Sequence, residues 1–280
     1  MYKKILSAVN EHLNSEISAR YALELARVTS SRIYLCYIAE KNVSEKAFRQ
    51  AEETVRRLFL RAEDMGLKVE SIFDTGDPVT KIREIVKTEK IDIVFSATRR
   101  EDVQKRFYAG TIARRLSLNL PCSVALVRVV HMGRIHPKKI LVPLKAKLEH
   151  IDERAYFTSM FAEAFGSNIF LFHTTKPATK FFHGELHLTP VEWEEKLPED
   201  ISHFIEHLNR YKVTHEKRLV PGKTGRHITI EAAAKRFDLV IMGASERSLL
   251  RSIFKGNPVE EVLRETPCDL IILKARHENK

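Results

Sequence analysis

Residues 256–274 read GNPVEEVLRETPCDLIILK, and residues 110–128 read GTIARRLSLNLPCSVALVR. Each stretch opens on a glycine followed by a residue suited to capping a helix. Each then passes through helically spaced apolar positions and closes on Pro-Cys and an apolar run. Gly110, Pro121 and Cys122 stand 146 positions before Gly256, Pro267 and Cys268. The same offset carries Ile91-Asp92-Ile93-Val94 onto Phe237-Asp238-Leu239-Val240, and Gly76 onto Gly222. Nearer the start, Lys3-Lys4-Ile5-Leu6 matches Lys138-Lys139-Ile140-Leu141 at an offset of 135. The second copy therefore carries 11 extra residues, for which the loop-like stretch KPATKFFHGELHLTPVE (176–192) is the natural place. Two long copies describe a duplicated domain, each able to bury its own core, and not a solenoid.

Within the first copy, strands are expected at 3–10, 32–38, 69–74, 91–97 and 123–129. Helices are expected from Ser15 as N-cap, over 43–65, 78–89 and 111–118. In the second copy the strands fall near 139–144, 168–174, 214–220, 238–243 and 269–274, with helices near 152–165, 191–211, 225–236 and 257–265. Alternation of strand and helix predicts α/β architecture, a parallel sheet with helices on both faces. The division is 1–130 and 138–280, with HMGRIHP (131–137) as a short linker.

The 280 residues suit two ordinary domains, with 44% hydrophobic and 30% charged residues. No run reaches the ~18–20 apolar residues of a membrane span. Asn10-Glu11-His12 interrupts the first apolar run, against a signal peptide. Cys36, Cys122 and Cys268 have no metal-binding spacing; buried free thiols and a cytoplasmic setting are expected. A net charge of +10 favours anionic partners in general. Without a long basic block, an aromatic RNA-binding signature or zinc-finger spacing, nucleic acid is not the expected partner.

With these elements placed, the chain resembles a tandem universal stress protein over nearly its whole length. The resemblance rests on KKILSAV (3–9) and KKILVPL (138–144), on VFSATRR (94–100) and VIMGASE (240–246), and on the Pro-Cys-strand endings. It implies two flavodoxin-like (Rossmann-like) doubly wound five-stranded sheets of order 3-2-1-4-5, meeting at their fifth strands as a pseudo-twofold pair. A homodimer is a further assembly open to such a chain. It also implies a nucleotide loop: glycine, two residues, glycine, nine residues, glycine and a small polar residue. Members with the loop bind ATP; others lack it and do not.

The loop has a physical basis. In an open parallel sheet, ligands bind beyond the carboxyl ends of the strands where strand order reverses. A glycine there lets backbone amides approach a phosphate, and a helix start adds its dipole. In the second copy the loop runs from Gly243 through Ser245 and Glu246 to Gly256-Asn257, with the spacing kept and Glu246 replacing the middle glycine. Leu144 and Met242 would lie near the base, and Lys145 stands where the family carries an acid. The first copy keeps Asn10 at the end of strand one, and Gly110-Thr111, but has Ala97 and Arg100 in place of two glycines. It is the weaker candidate. Glycine followed by Asn or Thr is also how a plain helix begins.

His203 and His207 share a helix face but lack a third ligand, so no metal site is assigned. PGKTGRH (221–227) is not a P-loop, because Lys217 stands where its first glycine belongs. No nucleophile and base come together, and no catalytic residue is assigned; weak ATP hydrolysis is the most that is expected. Two readings remain open. One is a regulatory stress-associated protein holding ATP or AMP, with Mg²⁺ accompanying ATP, in the second domain. The other is a scaffold that binds no nucleotide and presents its tandem domains to protein partners.

Overall fold

The computed structural model describes residues 1–98, 111–133, 135–175, 197–221, 224–245 and 258–276. Described elements in chain order are β1 (Lys4–Ala8), α1 (Leu13–Thr29), β2 (Arg32–Ala39), α2 (Glu45–Asp64), β3 (Val69–Thr75), α3 (Pro78–Glu89), β4 (Ile93–Thr98), α4 (Ile112–Asn119) and β5 (Ser123–Arg128). The second half repeats them as β6 (Lys139–Leu144), α5 (Ile151–Phe165), β7 (Asn168–Thr175), α6 (Glu199–Arg210), β8 (His215–Pro221), α7 (Thr224–Ala234), β9 (Leu239–Gly243), α8 (Pro258–Glu265) and β10 (Asp269–Lys274). All ten strands form one sheet of order β3-β2-β1-β4-β5-β10-β9-β6-β7-β8. Each half reads 3-2-1-4-5. The expected two sheets are fused into one, because β5 and β10 pair antiparallel, Leu126 opposite Ile272 and Val124 opposite Lys274.

The repeated motifs have structural work to do. Asp92, just before β4, accepts from the amides of Lys3 and Lys4 at 2.7 and 2.9 Å. Asp238 accepts from those of Lys138 and Lys139 at 2.8 Å each. The repeated aspartate thus fixes where the central strand of each half begins. Ser31 and Ser167 close the same corner, each hydroxyl donating to a carbonyl, Tyr2 at 3.0 Å and Pro137 at 2.6 Å. At the seam, Arg128 donates to the Thr266 carbonyl at 2.9 Å and Lys274 to the Leu120 carbonyl at 3.1 Å. These pairs are related by the offset of 146, so the two halves exchange equivalent contacts across a pseudo-twofold.

Helix ends follow local chemistry. Ser44 caps α2, accepting from the Ala47 amide at 3.2 Å, and Gly66 follows the helix in the left-handed region at φ +72°. Asp77 caps α3 ahead of Pro78. Two boundaries differ from expectation. α1 starts at Leu13, with His12 as its N-cap. Ser15 instead bonds back into the loop, accepting from the Asn10 amide at 3.0 Å and donating to the His12 carbonyl at 2.8 Å. The helix expected from 191 is described only from Glu199, after Pro198 at its N-cap; a proline inside the helix would remove a ladder bond. Residues 176–196, which include the expected insertion at 176–192, lie outside the described residues.

One apolar layer packs α1, α2, α5 and α6 on the sheet; the other packs α3, α4, α7 and α8 on the opposite face. Where the halves meet, Tyr21, Phe95, Phe157, Phe161 and Phe165 form a continuous aromatic cluster, with Phe157 and Phe161 centroids 4.7 Å apart. Burying each such ring contributes about 1.5–3 kcal/mol. Cys36, Cys122 and Cys268 are buried and unpaired, as expected. Burial pushes the Cys36 and Cys122 thiols up to about 12 and the Cys268 thiol to about 11.

Candidate functional site

The carboxyl ends of the central strands carry a cavity in each half. In the second half it measures about 330 Å³ and lies between β6 and β9, with α5, α6 and α7 around it. Leu144, Lys145, Met242, Gly243 and Ser245 line it together, so five of the eight sequence candidates converge. Glu246, Gly256 and Asn257 lie outside the described residues.

The strand ladder explains why a cavity opens here. In the first half, β1 and β4 pair from Ile5 to Ala8. In the second, β6 and β9 pair only at Ile140 and Leu141. Pro143, the counterpart of Ala8, has no N–H to give a ladder bond. Past Leu141 the pairing stops, and a small void lies between Val142, Leu144, Ile241 and Gly243.

Arg154, in the first turn of α5, fills the opening and was not among the sequence candidates. A Cβ built on Gly243 would stand 2.5 Å from Arg154 Nε and 2.6 Å from Nη1. Gly243 therefore seats a guanidinium against its backbone. Arg154 Nε is buried without a hydrogen-bond partner among the described residues. Burial lowers the pKa of Arg154, with Glu149 and then Glu153 opposing. The nearer of its chain neighbours is already engaged: Glu153 Oε1 accepts from the Tyr2 hydroxyl at 2.8 Å and from the Ser123 hydroxyl, in the seam. Lys145 stands at the mouth of the cavity. Burial, then repulsion from Arg154, holds its ammonium below the ordinary lysine value, with Glu149 opposing. Asp200, the other acid on the wall, accepts from the Leu148 amide at 2.7 Å. The site is a cleft with more positive charge than its own acids compensate.

One signal in the sequence could have found Arg154. The corner serines, Ser31 and Ser167, set an offset of 136 for the helix before them, which makes Ser18 the counterpart of Arg154. Gly243 has Ala97 as its counterpart, at offset 146. A serine beside an alanine in one copy and an arginine beside a glycine in the other is a matched exchange of size.

The first-half cavity is larger, about 780 Å³, and Asn10 and Thr111 both line it, with Ala97 and Tyr37. Arg100 and Gly110 lie outside the described residues. Asn10 Oδ1 accepts from the His12 amide at 3.0 Å. The Thr111 hydroxyl caps α4, accepting from the Arg114 amide at 3.3 Å. Thr111 thus does what an ordinary helix start requires. The Tyr37 hydroxyl is buried without a partner among the described residues.

Other candidates resolve as structure. His207 pairs with Asp152 at 2.8 Å. Among the described residues no group of three His, Cys, Asp or Glu comes together to hold a metal, and no helix is long and apolar enough to cross a membrane.

The profile described as the Universal stress protein family matches this chain twice, over residues 1–128 and 137–274. Universal stress protein MJ0531 of Methanocaldococcus jannaschii is 23% identical over 141 residues, covering 46% of this chain and 83% of that protein. A universal stress protein from Archaeoglobus fulgidus DSM 4304 superposes with a TM-score of 0.66 at 15% identity, covering 99% of this chain and 97% of its own. A functionally unknown protein from Pseudomonas aeruginosa PAO1 gives a TM-score of 0.62 at 15% identity, covering 98% and 93%. Duplicated sequence, doubly wound halves and a family match in each agree: the chain belongs to the universal stress protein family, whose domain it carries twice.

Proposed function

We propose that this protein is a regulatory binder of an adenine nucleotide, ATP or AMP, held in the second half. The observation that carries the reading is the seating of Arg154 against Gly243, with Lys145 lining the same cleft at the carboxyl ends of β6 and β9. A partly desolvated cleft with three cations, Lys145, Lys147 and Arg154, against two acids, Glu149 and Asp200, favours an anionic ligand. The apolar edges of Leu144 and Met242 supply a surface for the base. Ser245 and the Gly256-Asn257 pair are the proposed phosphate contacts. Mg²⁺ would enter with ATP on the nucleotide's own oxygens, since the described acids do not gather into a cage of three. The expected affinity is modest, on the order of micromolar to millimolar.

Isothermal titration of ATP and AMP tests this, against the parent and against Gly256→Val and Gly110→Val. A β-branched residue at 256 should abolish binding, and one at 110 should matter little. Binding unaffected by Gly256→Val but lost in Asn10→Ala would place the ligand in the larger first-half cavity. A second reading, the scaffold for protein partners, is favoured by the way Arg154 fills the space beside Gly243 and Thr111 caps its own helix. It takes over if neither nucleotide binds the parent at millimolar concentration.

A further inference from the structure

The strongest unexplained feature of the molecule is a buried guanidinium nitrogen that faces no acceptor. Arg154 Nε has no hydrogen-bond partner among the described residues. The side chain approaches the acids nearest it in sequence without an ion pair to either: Glu153 is turned into the seam between the halves, and Glu149 is exposed. Burying a charged donor without an acceptor is costly, and Glu149 and Glu153 oppose the desolvation of this guanidinium only through space. A fold that keeps such a donor on the wall of an open cleft is arranged for an acceptor that arrives from outside.

We propose that Arg154, with Lys145, binds a phosphoryl group at the floor of the second-half cavity, supplied either as free phosphate or as the end of a nucleotide. The proposal rests on the reading of this cavity as an anion site and names the residue that makes it one. Three observations support it. The first is the seat. Gly243 gives the guanidinium room, and the first half, with Ala97 and Ser18 at the matching positions, has no equivalent. The second is the early end of the β6–β9 ladder at Leu141, which opens the sheet where Arg154 enters. The third is charge. Lys145, Lys147 and Arg154 line the cleft against Glu149 and Asp200, and Asp200 already accepts from the Leu148 amide. The ammonium of Lys145 is depressed first by its partial burial in the cleft and then by Arg154, with Glu149 opposing. A guanidinium offers a planar fork to phosphate oxygens, and an ammonium at the end of β6 adds a point charge. The ligand class is therefore a phosphoryl dianion, recognised by side-chain cations from the β6–α5 side and not by backbone amides of a glycine-rich loop alone.

The experiment titrates the full chain, at fixed ionic strength in chloride buffer, with inorganic phosphate, AMP and adenosine. The variants are Arg154→Met, Arg154→Lys, Lys145→Met and, as a surface control, Arg49→Met. Phosphate and AMP are expected to bind the parent, with adenosine at least about 10-fold weaker than AMP. Arg154→Met should weaken phosphate and AMP about 10-fold or more and leave adenosine unchanged. Arg154→Lys should fall between, because charge is kept and the fork is lost. Arg49→Met should bind like the parent. Lys145 is exposed, so Lys145→Met tests the cluster even if Arg154→Met folds poorly; it too should weaken phosphate and AMP. Phosphate bound without AMP would support the proposal and end the nucleotide reading. AMP bound equally by the parent, by folded Arg154→Met and by Lys145→Met would overturn the proposal and leave the nucleotide reading standing. Neither ligand bound by the parent at millimolar concentration would overturn both.

Discussion

A methyl group added to Gly243 would meet the guanidinium of Arg154, 2.5 Å from Nε and 2.6 Å from Nη1. What stands there is the free end of a long side chain and not backbone, so the clash can be relieved by a swing of Arg154. Gly243→Ala should therefore cost about 1 kcal/mol or less of stability, below the ordinary cost of overpacking a rigid core. It should still displace the guanidinium from its seat. In Arg154→Ser, which recreates the Ser18–Ala97 pairing of the first half, the same alanine should cost nothing measurable. A double-mutant cycle by urea denaturation reads the coupling directly. The sequence made Gly243 legible as a position of close approach, through its spacing to Gly256. What approaches was harder to read: Arg154 lies on a different element and meets Gly243 only once the sheet is assembled, and its one trace in the sequence is the Ser18–Ala97 exchange between the copies. Lys145 was legible as a departure from the acidic residue the family carries there, and its place at the cavity mouth followed from the end of β6.

At the scale of elements, the caps decide where helices begin, and one of them, Asp77, is a carboxylate whose charge depends on pH. Asp77 accepts from the Thr80 amide at 3.0 Å and from the Thr80 hydroxyl at 2.9 Å, and Arg115 of α4 reaches it at 3.1 Å. The Thr80 amide first, then the Thr80 hydroxyl and Arg115, hold its carboxyl below the ordinary aspartate value of 3.8. A depressed pKa in the folded state contributes stability above the unfolded value and loses it as pH falls through the folded one. Asp77→Ala should therefore cost about 1 kcal/mol at pH 7, the usual worth of an N-cap. The gap between parent and variant should narrow as pH is lowered below 3.8. Asp77→Asn, which keeps an acceptor at every pH, should show little of that dependence. Urea midpoints at pH 7 and pH 3 give the comparison. Nearly every strand was readable from apolar runs between turn residues, and the strand order within each half followed from the family resemblance. Helix starts were less so: Ser15 has the composition of a cap, yet its hydroxyl serves the Asn10 loop two residues inside a helix that begins at Leu13.

The whole molecule is held along the seam where β5 meets β10. Asp269, buried at the start of β10, accepts from the Tyr21 hydroxyl at 2.8 Å and from the amides of Val130 and His131 at 2.7 and 3.0 Å. Ser123, its counterpart in β5, accepts from the Arg276 amide at 2.9 Å and donates to Glu153. Tyr21→Phe keeps the ring in the aromatic cluster and removes one bond to a buried carboxylate, which should cost about 1.5–3 kcal/mol. Because the halves share one sheet and that cluster, the loss should appear as a lower midpoint of a single transition. Calorimetry that resolved two peaks, with only one moved by the substitution, would show halves that melt independently. The meeting of the fifth strands was foreseeable from the family resemblance; the polar residues flanking it were not, since Tyr2 and Glu153 are 151 positions apart. The seam also lies within one polypeptide, and that changes what mutation can do. In a pair of identical subunits every change on a twofold axis meets its own copy and is suffered in double dose. Here a serine occupies one side and an aspartate the other, each with its own partners, so the two can diverge one residue at a time. Nor can dilution part them: the joined halves exchange no subunits, and their association is as complete in a single molecule as in a concentrated solution.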